Sequence, residues 1–174
     1  MLGENKLGAL GLLLSDSLEN IGGDLSMSAA ALLLSLFYHP DSTATELAKI
    51  VGVSQPTAVR VLDGLVERGL IKRKDRTGRI TLLGVTSAGR KSAQALQVRR
   101  LRATKNLLSG LTALELKNFE RTLDKLLASA TSSRAFARTT CRLCDHVLCD
   151  GPVCPIGTRA TEIERRAQSL SKEK

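Results

Sequence analysis

Apolar positions recur at helical spacing along most of this 174-residue chain, and the interruptions fall at Gly, Pro, Ser and Thr. Residues 6 to about 22 (Lys6-Leu-Gly-Ala-Leu-Gly-Leu-Leu-Leu-Ser-Asp-Ser-Leu18 at their head) are largely apolar at that spacing despite Gly8 and Gly11. A helix so apolar, with little opposite it locally, is a candidate for packing between molecules. Ser26 to about Tyr38 predicts a second helix, stopped by His39-Pro40, after which Asp41 and Ser42 supply a turn and a cap. Thr43 to Val51 sets Ala44, Leu47, Ala48 and Val51 at i, i+3, i+4 and i+7, and Gly52 ends that short amphipathic helix. The next opens on Ser54 as cap, tolerates Pro56 in its first turn and runs to Arg68 before Gly69, with Ala58, Val59, Leu62, Leu65 and Val66 as its expected buried stripe.

Two short helices joined through Gly52-Val53 fit a helix-turn-helix. Leu70 to Lys74 and Arg79 to Val85 then read as strands, separated by the turn sequence Asp75-Arg-Thr-Gly78, which makes a hairpin with Arg76 and Arg79 at its tip. A basic ribbon directly after a helix-turn-helix predicts a winged helix, whose tip delivers arginine to a narrow minor groove. Thr86-Ser87 caps a long helix to about Ser109, and Thr112 caps another through about Ser133. The predicted fold class is therefore mainly α with a small β-hairpin wing.

Composition agrees: aromatic residues are 2% of the chain, so its core is aliphatic and suited to helices. Charge is lopsided. The chain carries +9 overall, but Arg68 to Lys105 alone holds twelve basic residues and the single acid Asp75. The remainder is slightly acidic, so the positive charge is a local footprint for phosphate.

Taken in order, Thr45-Glu-Leu-Ala-Lys-Ile-Val-Gly-Val-Ser-Gln-Pro-Thr-Ala-Val-Arg-Val-Leu-Asp-Gly-Leu-Val-Glu-Arg-Gly-Leu-Ile-Lys-Arg73, the wing Asp75 to Arg79, the join Val85-Thr-Ser-Ala-Gly-Arg90 and the opening Leu111-Thr-Ala-Leu-Glu115 resemble the multiple antibiotic resistance regulator (MarR) family over roughly residues 6 to 133. The resemblance implies a repressor acting as a homodimer with interlocked terminal helices, binding double-stranded DNA at a palindromic operator. The chain is accordingly expected to divide into an N-terminal dimerisation helix (1–25), a winged helix-turn-helix DNA-binding domain (26–90), long helices of the dimerisation region (91–135) and, beyond the resemblance, a C-terminal cysteine site with a terminal helix (136–174). The resemblance also implies that Ser42 and Thr43 touch phosphate, that Ser54, Gln55, Thr57 and Arg60 enter the major groove, and that Arg73, Arg76 and Arg79 serve the wing.

All four cysteines lie beyond the resemblance, in Cys141-Arg-Leu-Cys144-Asp-His-Val-Leu-Cys149-Asp-Gly-Pro-Val-Cys154-Pro155. The spacing C-x2-C-x4-C-x4-C is that of a zinc knuckle with Cys149 where its histidine would stand. Four thiolates can close a tetrahedral shell around Zn²⁺, with Asp145 and His146 as substitute ligands or outer partners. An iron–sulfur cluster needs the same four thiolates, and metal-free thiols that oxidise to disulfides are a third reading. Beyond Pro155, Ile156, Ala160, Ile163, Ala167 and Leu170 mark a last helix, which makes the cysteine element a clamp between two dimerisation helices.

Catalysis is not expected. The two histidines, His39 and His146, have no nucleophile–base pattern around them and no Gly-rich phosphate loop is present. A winged helix used for protein or RNA contacts is the other class. No apolar run reaches a membrane span and the first residues lack the pattern of a secretory signal, so a cytoplasmic protein is expected, one without a membrane partner. Two signals suit such a regulator: a small organic effector held between its DNA-binding and dimerisation regions, or the cysteine site itself.

Overall fold

The structure, a computed structural model, describes residues 1–19, 21–77 and 80–172, with backbone alone at 75–77, 80 and 172. Its elements in order are α1 (Leu2–Glu19), α2 (Met27–Tyr38), α3 (Ala44–Val51), α4 (Gln55–Glu67), β1 (Ile71–Thr77), β2 (Ile80–Val85), α5 (Ser87–Leu108), α6 (Ala113–Ala130), α7 (Arg134–Thr140), a 3-10 turn (Gly151–Val153) and α8 (Pro155–Lys172).

The core forms around α2, in which every residue from Ala29 to Leu36 is buried. A helix buried all round must be surrounded, and α3, α4, α5 and the hairpin surround it. Leu47, Leu65, Ile71 and Leu96 belong to the same core cluster as α2's leucines, with essentially no exposure. The helix begins where Ser26 accepts the Ala29 N–H and ends at His39, as the sequence predicts. Asp41 then takes a left-handed conformation (φ 64°), which Asp tolerates better than most side chains, and turns the chain into α3. The cap of α3 is Thr43 rather than Ser42. Its hydroxyl accepts the Glu46 N–H, while the Glu46 carboxylate accepts from the Thr43 N–H at 2.8 Å and the Thr43 hydroxyl at 2.9 Å.

In α4 the buried residues are Ala58, Leu62 and Leu65, with Val61 packed beside them. That is an i, i+3, i+4, i+7 stripe, and it corrects the expected one, because Val59 lies a third of a turn away and is 39% exposed. The hairpin also differs from expectation. Asp75, Arg76 and Thr77 belong to β1, not to the turn, because a bulge between Arg73 and Arg76 lets the strand keep pairing up to Thr77 with Ile80.

Thr86 caps α5 and fastens it to the end of α4: its N–H donates to the Leu70 carbonyl at 3.1 Å and its hydroxyl to that of Gly69 at 2.7 Å. Helix α6 stops at Ala130, short of the expected Ser133. Thr131 is extended there, and Ser133 caps the separate α7 by accepting the Phe136 N–H at 3.1 Å. Helix α8 packs on α6 and α7, but burial along its stripe stops early: Ile156 and Ala160 are buried while Leu170 is exposed. Among the described residues no helix is long and apolar enough to cross a membrane.

Candidate nucleic-acid interface and cysteine cluster

The helix-turn-helix is built by local rules. Gly52, at φ 77°, supplies the left-handed residue that closes α3, and its N–H donates back to Ala48 at 2.9 Å. Ser54 then starts α4 by accepting the Thr57 N–H at 3.3 Å, and its hydroxyl shares a 2.8 Å hydrogen bond with that of Thr57. Of the predicted groove residues, Ser54 and Thr57 therefore serve the helix start, whereas Gln55 and Arg60 project freely into solvent. Between them lies Val59, which the sequence pattern assigns to the buried stripe. Gln55, Pro56, Val59, Arg60, Asp63, Gly64 and Glu67 line one open, shallow groove on the outer side of α4. Val59 gives that face an apolar element of the kind that meets a thymine methyl.

Ser42 and Thr43 sit at the N-terminal end of α3, beside the wing. The Leu83 N–H of β2 donates to the Ser42 carbonyl at 3.2 Å, so the start of α3 is tied to the hairpin through the backbone. Hydrogen bonds from Thr43, first from its N–H and then from its hydroxyl, hold the Glu46 carboxyl below its ordinary value. The basic footprint is partly spoken for within the chain: Arg68 is ion-paired with Asp24, Arg73 with Asp63 and Lys74 with Asp41. Arg73, expected at DNA, is thus tied to the side of α4. The side chain of Arg76, and the whole of Arg79, lie outside the described residues.

A two-stranded wing behind a helix-turn-helix with this order of elements has clear relatives. The model of the MarR family matches residues 25–78. Over that stretch the chain is similar to the MarR family. The solved structures place the same fold around it. MepR, a transcription regulator of the Staphylococcus aureus multidrug efflux pump MepA, superposes with a TM-score of 0.64 at 21% identity, covering 74% of this chain and 98% of its own. A MarR family protein of Mycobacterium tuberculosis gives 0.59 at 24% identity, covering 70% and 91%. A single-substitution variant of MepR bound to an oligodeoxyribonucleotide gives 0.52 at 23% identity, covering 74% and 94%.

The cysteine segment packs on the winged helix-turn-helix, where the sequence predicts a clamp between two dimerisation helices. Helix α7 lies on α3, and the Thr139 hydroxyl donates to the Lys49 carbonyl at 3.5 Å. The Tyr38 hydroxyl, at the end of α2, donates to Asp145 Oδ1 at 2.9 Å, and its ring stacks on His146 with centroids 4.5 Å apart. From α5 the buried Gln97 amide donates to the carbonyls of Leu143 (3.2 Å) and Cys144 (3.0 Å). Burial, and then the Asp145 carboxylate, push the Tyr38 hydroxyl up to about 12, so it remains a donor at any physiological pH. Desolvation, reinforced by His146 and Arg138, lowers the His39 imidazole.

No disulfide joins any of the four cysteines. Cys141 and Cys144 share a hydrogen bond that raises the first and brings the second down to about 6, while burial and the nearby Cys154 push Cys149 up to about 11. Cys154 is buried and accepts the Gly157 N–H at 3.2 Å. Among the described residues, no three His, Cys, Asp or Glu side chains converge closely enough to hold one ion. Instead Cys141, Cys149 and Cys154 border a cavity of about 330 Å³ that reaches back to Ser35, Tyr38 and His39 of α2. No sequence signal pointed to Tyr38, Gln97 or Ser35.

Proposed function

We propose that this chain is a homodimeric, sequence-specific transcriptional regulator that represses by binding a palindromic duplex operator through a pair of α4 helices. The MarR family match and the fold around it make DNA-binding regulation the general function. The observation that carries the finer reading is the outer face of α4, where Gln55, Val59 and Arg60 stand exposed with a hydrogen-bonding, an apolar and a cationic group, the three chemistries that base edges answer. Arg60 suits guanine, Gln55 adenine and Val59 thymine. Ser42 and Thr43 flank this face as phosphate contacts, and Arg76 and Arg79 complete it at the wing.

Pairing of two chains is supported by α1 and α6, neither of which buries a residue. Leu2, Leu7, Leu12 and Leu13 of the first and Leu114, Leu126 and Leu127 of the second are exposed, a large apolar area for a lone chain. A second copy covers it and sets the two α4 helices one helical turn of DNA apart, ~34–36 Å. The cysteine spacing in sequence is what supports Zn²⁺, with an iron–sulfur cluster as the alternative, as an occupant that makes the C-terminal segment a structural or sensing element; among the described residues the side chains do not converge on one ion, so binding would have to draw the thiols together.

The test is a binding selection from random duplexes with the full chain, followed by its mass in solution. Enrichment of an inverted repeat by a dimer is the expected result. A monomer, or a chain that enriches no duplex and prefers RNA at matched salt, overturns the proposal.

A further inference from the structure

We propose that the cavity between α2 and the C-terminal segment is a binding site for a small organic phosphate monoester, held by Arg138, Arg142 and Ser35. The site does not rest on the regulator reading above, and the thiols at its margin take no part in it.

Positive charge without a counter-ion is the first observation. Arg134, Arg138 and Arg142 recur every fourth residue along α7 and just past its end, a spacing that gathers side chains on one helix face, and all three line the cavity. Arg134 is taken: it is ion-paired with Glu164 at 2.7 Å. Arg138 and Arg142 form no ion pair among the described residues, and Arg142 donates only to the Thr139 carbonyl, at 2.7 Å. Asp150 is the one carboxylate in the lining, and it already accepts the Gly151 N–H at 2.7 Å. Desolvation, and then His146 and Arg138, lower the His39 imidazole, so His39 offers this cavity a neutral ring at neutral pH rather than a further charge. The second observation is Ser35. It is 3% exposed, and its hydroxyl is the buried side-chain oxygen without a hydrogen-bond partner among the described residues. A buried orphan of this kind calls for a missing partner, and Ser35 lines the same cavity.

Charge and size together select the ligand. A guanidinium presents its N–H groups in a planar fork that matches phosphate oxygens. A phosphate monoester carries about −1.5 to −2 at neutral pH on three strong acceptor oxygens, so two unpaired guanidiniums balance its charge and the Ser35 hydroxyl can meet the oxygen left over. A carboxylate brings half that charge and two oxygens. The cavity, about 330 Å³, is at the lower end of the ~300–1,000 Å³ of ligand pockets, so the ligand is small but larger than phosphate alone. Ile50, Ala137 and the Tyr38 ring give the ester's organic part an apolar wall. Helix α7 and all that follows it lie beyond the stretch of sequence that resembles the MarR family, so the site is built by the added C-terminal segment against α2 and α3.

The experiment titrates phenyl phosphate, inorganic phosphate and succinate into the full chain by calorimetry, at one salt concentration and with a chelator present. Phenyl phosphate is expected to bind once per chain and to raise Tm, inorganic phosphate to compete with it, and succinate to bind at least tenfold more weakly. Arg138→Ala and Arg142→Ala should each weaken phenyl phosphate about tenfold or more, the usual cost of losing a hydrogen bond to a charged group. Ser35→Ala should weaken it roughly threefold while making the ligand-free chain more stable, because the orphan hydroxyl is gone; a serine with a merely structural role would change stability alone. Circular dichroism checks each variant's fold, and if Arg142→Ala unfolds the turn it braces, the exposed Arg138 carries the test by itself. Lys72→Ala, an exposed cation of the basic footprint, should leave the affinity as it was. No saturable binding of phenyl phosphate, or an affinity that Arg138→Ala leaves unchanged, overturns the site. A loss caused by Lys72→Ala instead puts the phosphate on the basic footprint and overturns it too. Succinate bound as tightly as phenyl phosphate overturns the ligand class.

Discussion

Adding one methyl group at Gly89 is predicted to unseat the joint between the wing and α5. Gly89 is buried in the first turn of α5, where its N–H donates to the Thr86 hydroxyl at 3.0 Å. A Cβ there would stand 2.7 Å from Val85 Cγ1 and 2.9 Å from the Leu70 carbonyl carbon, and closer still to the Leu70 oxygen. That oxygen is already the acceptor for the Thr86 N–H, so it cannot retreat without stretching the bond that ties α5 to the end of α4. Overpacking of this kind costs ~1–3 kcal/mol, and weakening one of the Thr86 bonds adds ~1 kcal/mol. Against this, alanine recovers up to ~1 kcal/mol of helix propensity. The net is a loss of about 1–3 kcal/mol, or roughly 2–10 °C in Tm for a chain of this size. Urea unfolding followed by circular dichroism measures it, with Gly64→Ala as the internal control. Gly64 lies inside α4 with nothing within 4 Å of its would-be Cβ, so the same substitution there should stabilise by ~0.5–1 kcal/mol. If Gly89→Ala matched the wild type within ~0.5 kcal/mol, the close approach of Leu70 would not be a constraint and the reasoning would fail.

Gln55→Ala should change which base is preferred at one operator position and Val59→Ala should relax discrimination for thymine, both read from binding selections; unchanged profiles would remove these residues from the reading face. Arg79→Ala should weaken binding to all sequences and reduce the slope of log K against log salt by about one, measured by titration at several salt concentrations. Leu12→Lys with Leu126→Lys should convert the dimer to a monomer in sedimentation, with little change in helicity. In acid, the depressed Glu46 carboxyl predicts a pH-dependent cap. Its contribution is fully present above the ordinary value of 4.5 and fades as pH falls through the lower folded value, so Glu46→Gln should flatten the stability profile in that window and lower stability at neutral pH, where the charged cap is complete.

Much of this fold was legible because its signals are short-range. Ser26, Ser54, Thr86 and Thr112 each cap the helix the sequence assigns to them, since a hydroxyl three residues before a free N–H is a local arrangement. The bulge in β1 was not legible. Nothing in Lys72 to Arg76 distinguishes a continuing strand from a turn until the partner strand imposes its register. Thr131-Ser132-Ser133 did offer a signal for the break before α7, three hydroxyl residues ahead of Phe136, but the leucine periodicity of α6 outweighed it. For the candidate site, the exposed face of α4 followed from the helical period, Val59 apart, because that residue falls at the edge of an apolar stripe whose rotation only α2 and α3 determine. Gln97 and Tyr38 were beyond reach for a plainer reason: their partners lie 46 and 107 residues away in sequence, and an amide or a phenol announces no partner on its own.

The bond between the Leu83 N–H and the Ser42 carbonyl makes the molecule a fixed calliper. Its two jaws, the start of α3 and the wing, cannot open or close independently, because one backbone hydrogen bond and the Lys74–Asp41 ion pair span them. When such a tool closes on a duplex, the compliance has to come from the duplex. Operators that narrow or bend easily at the distance set by the jaws will then be favoured even at base pairs that no side chain touches, and stiff sequences with the same contacts will be refused.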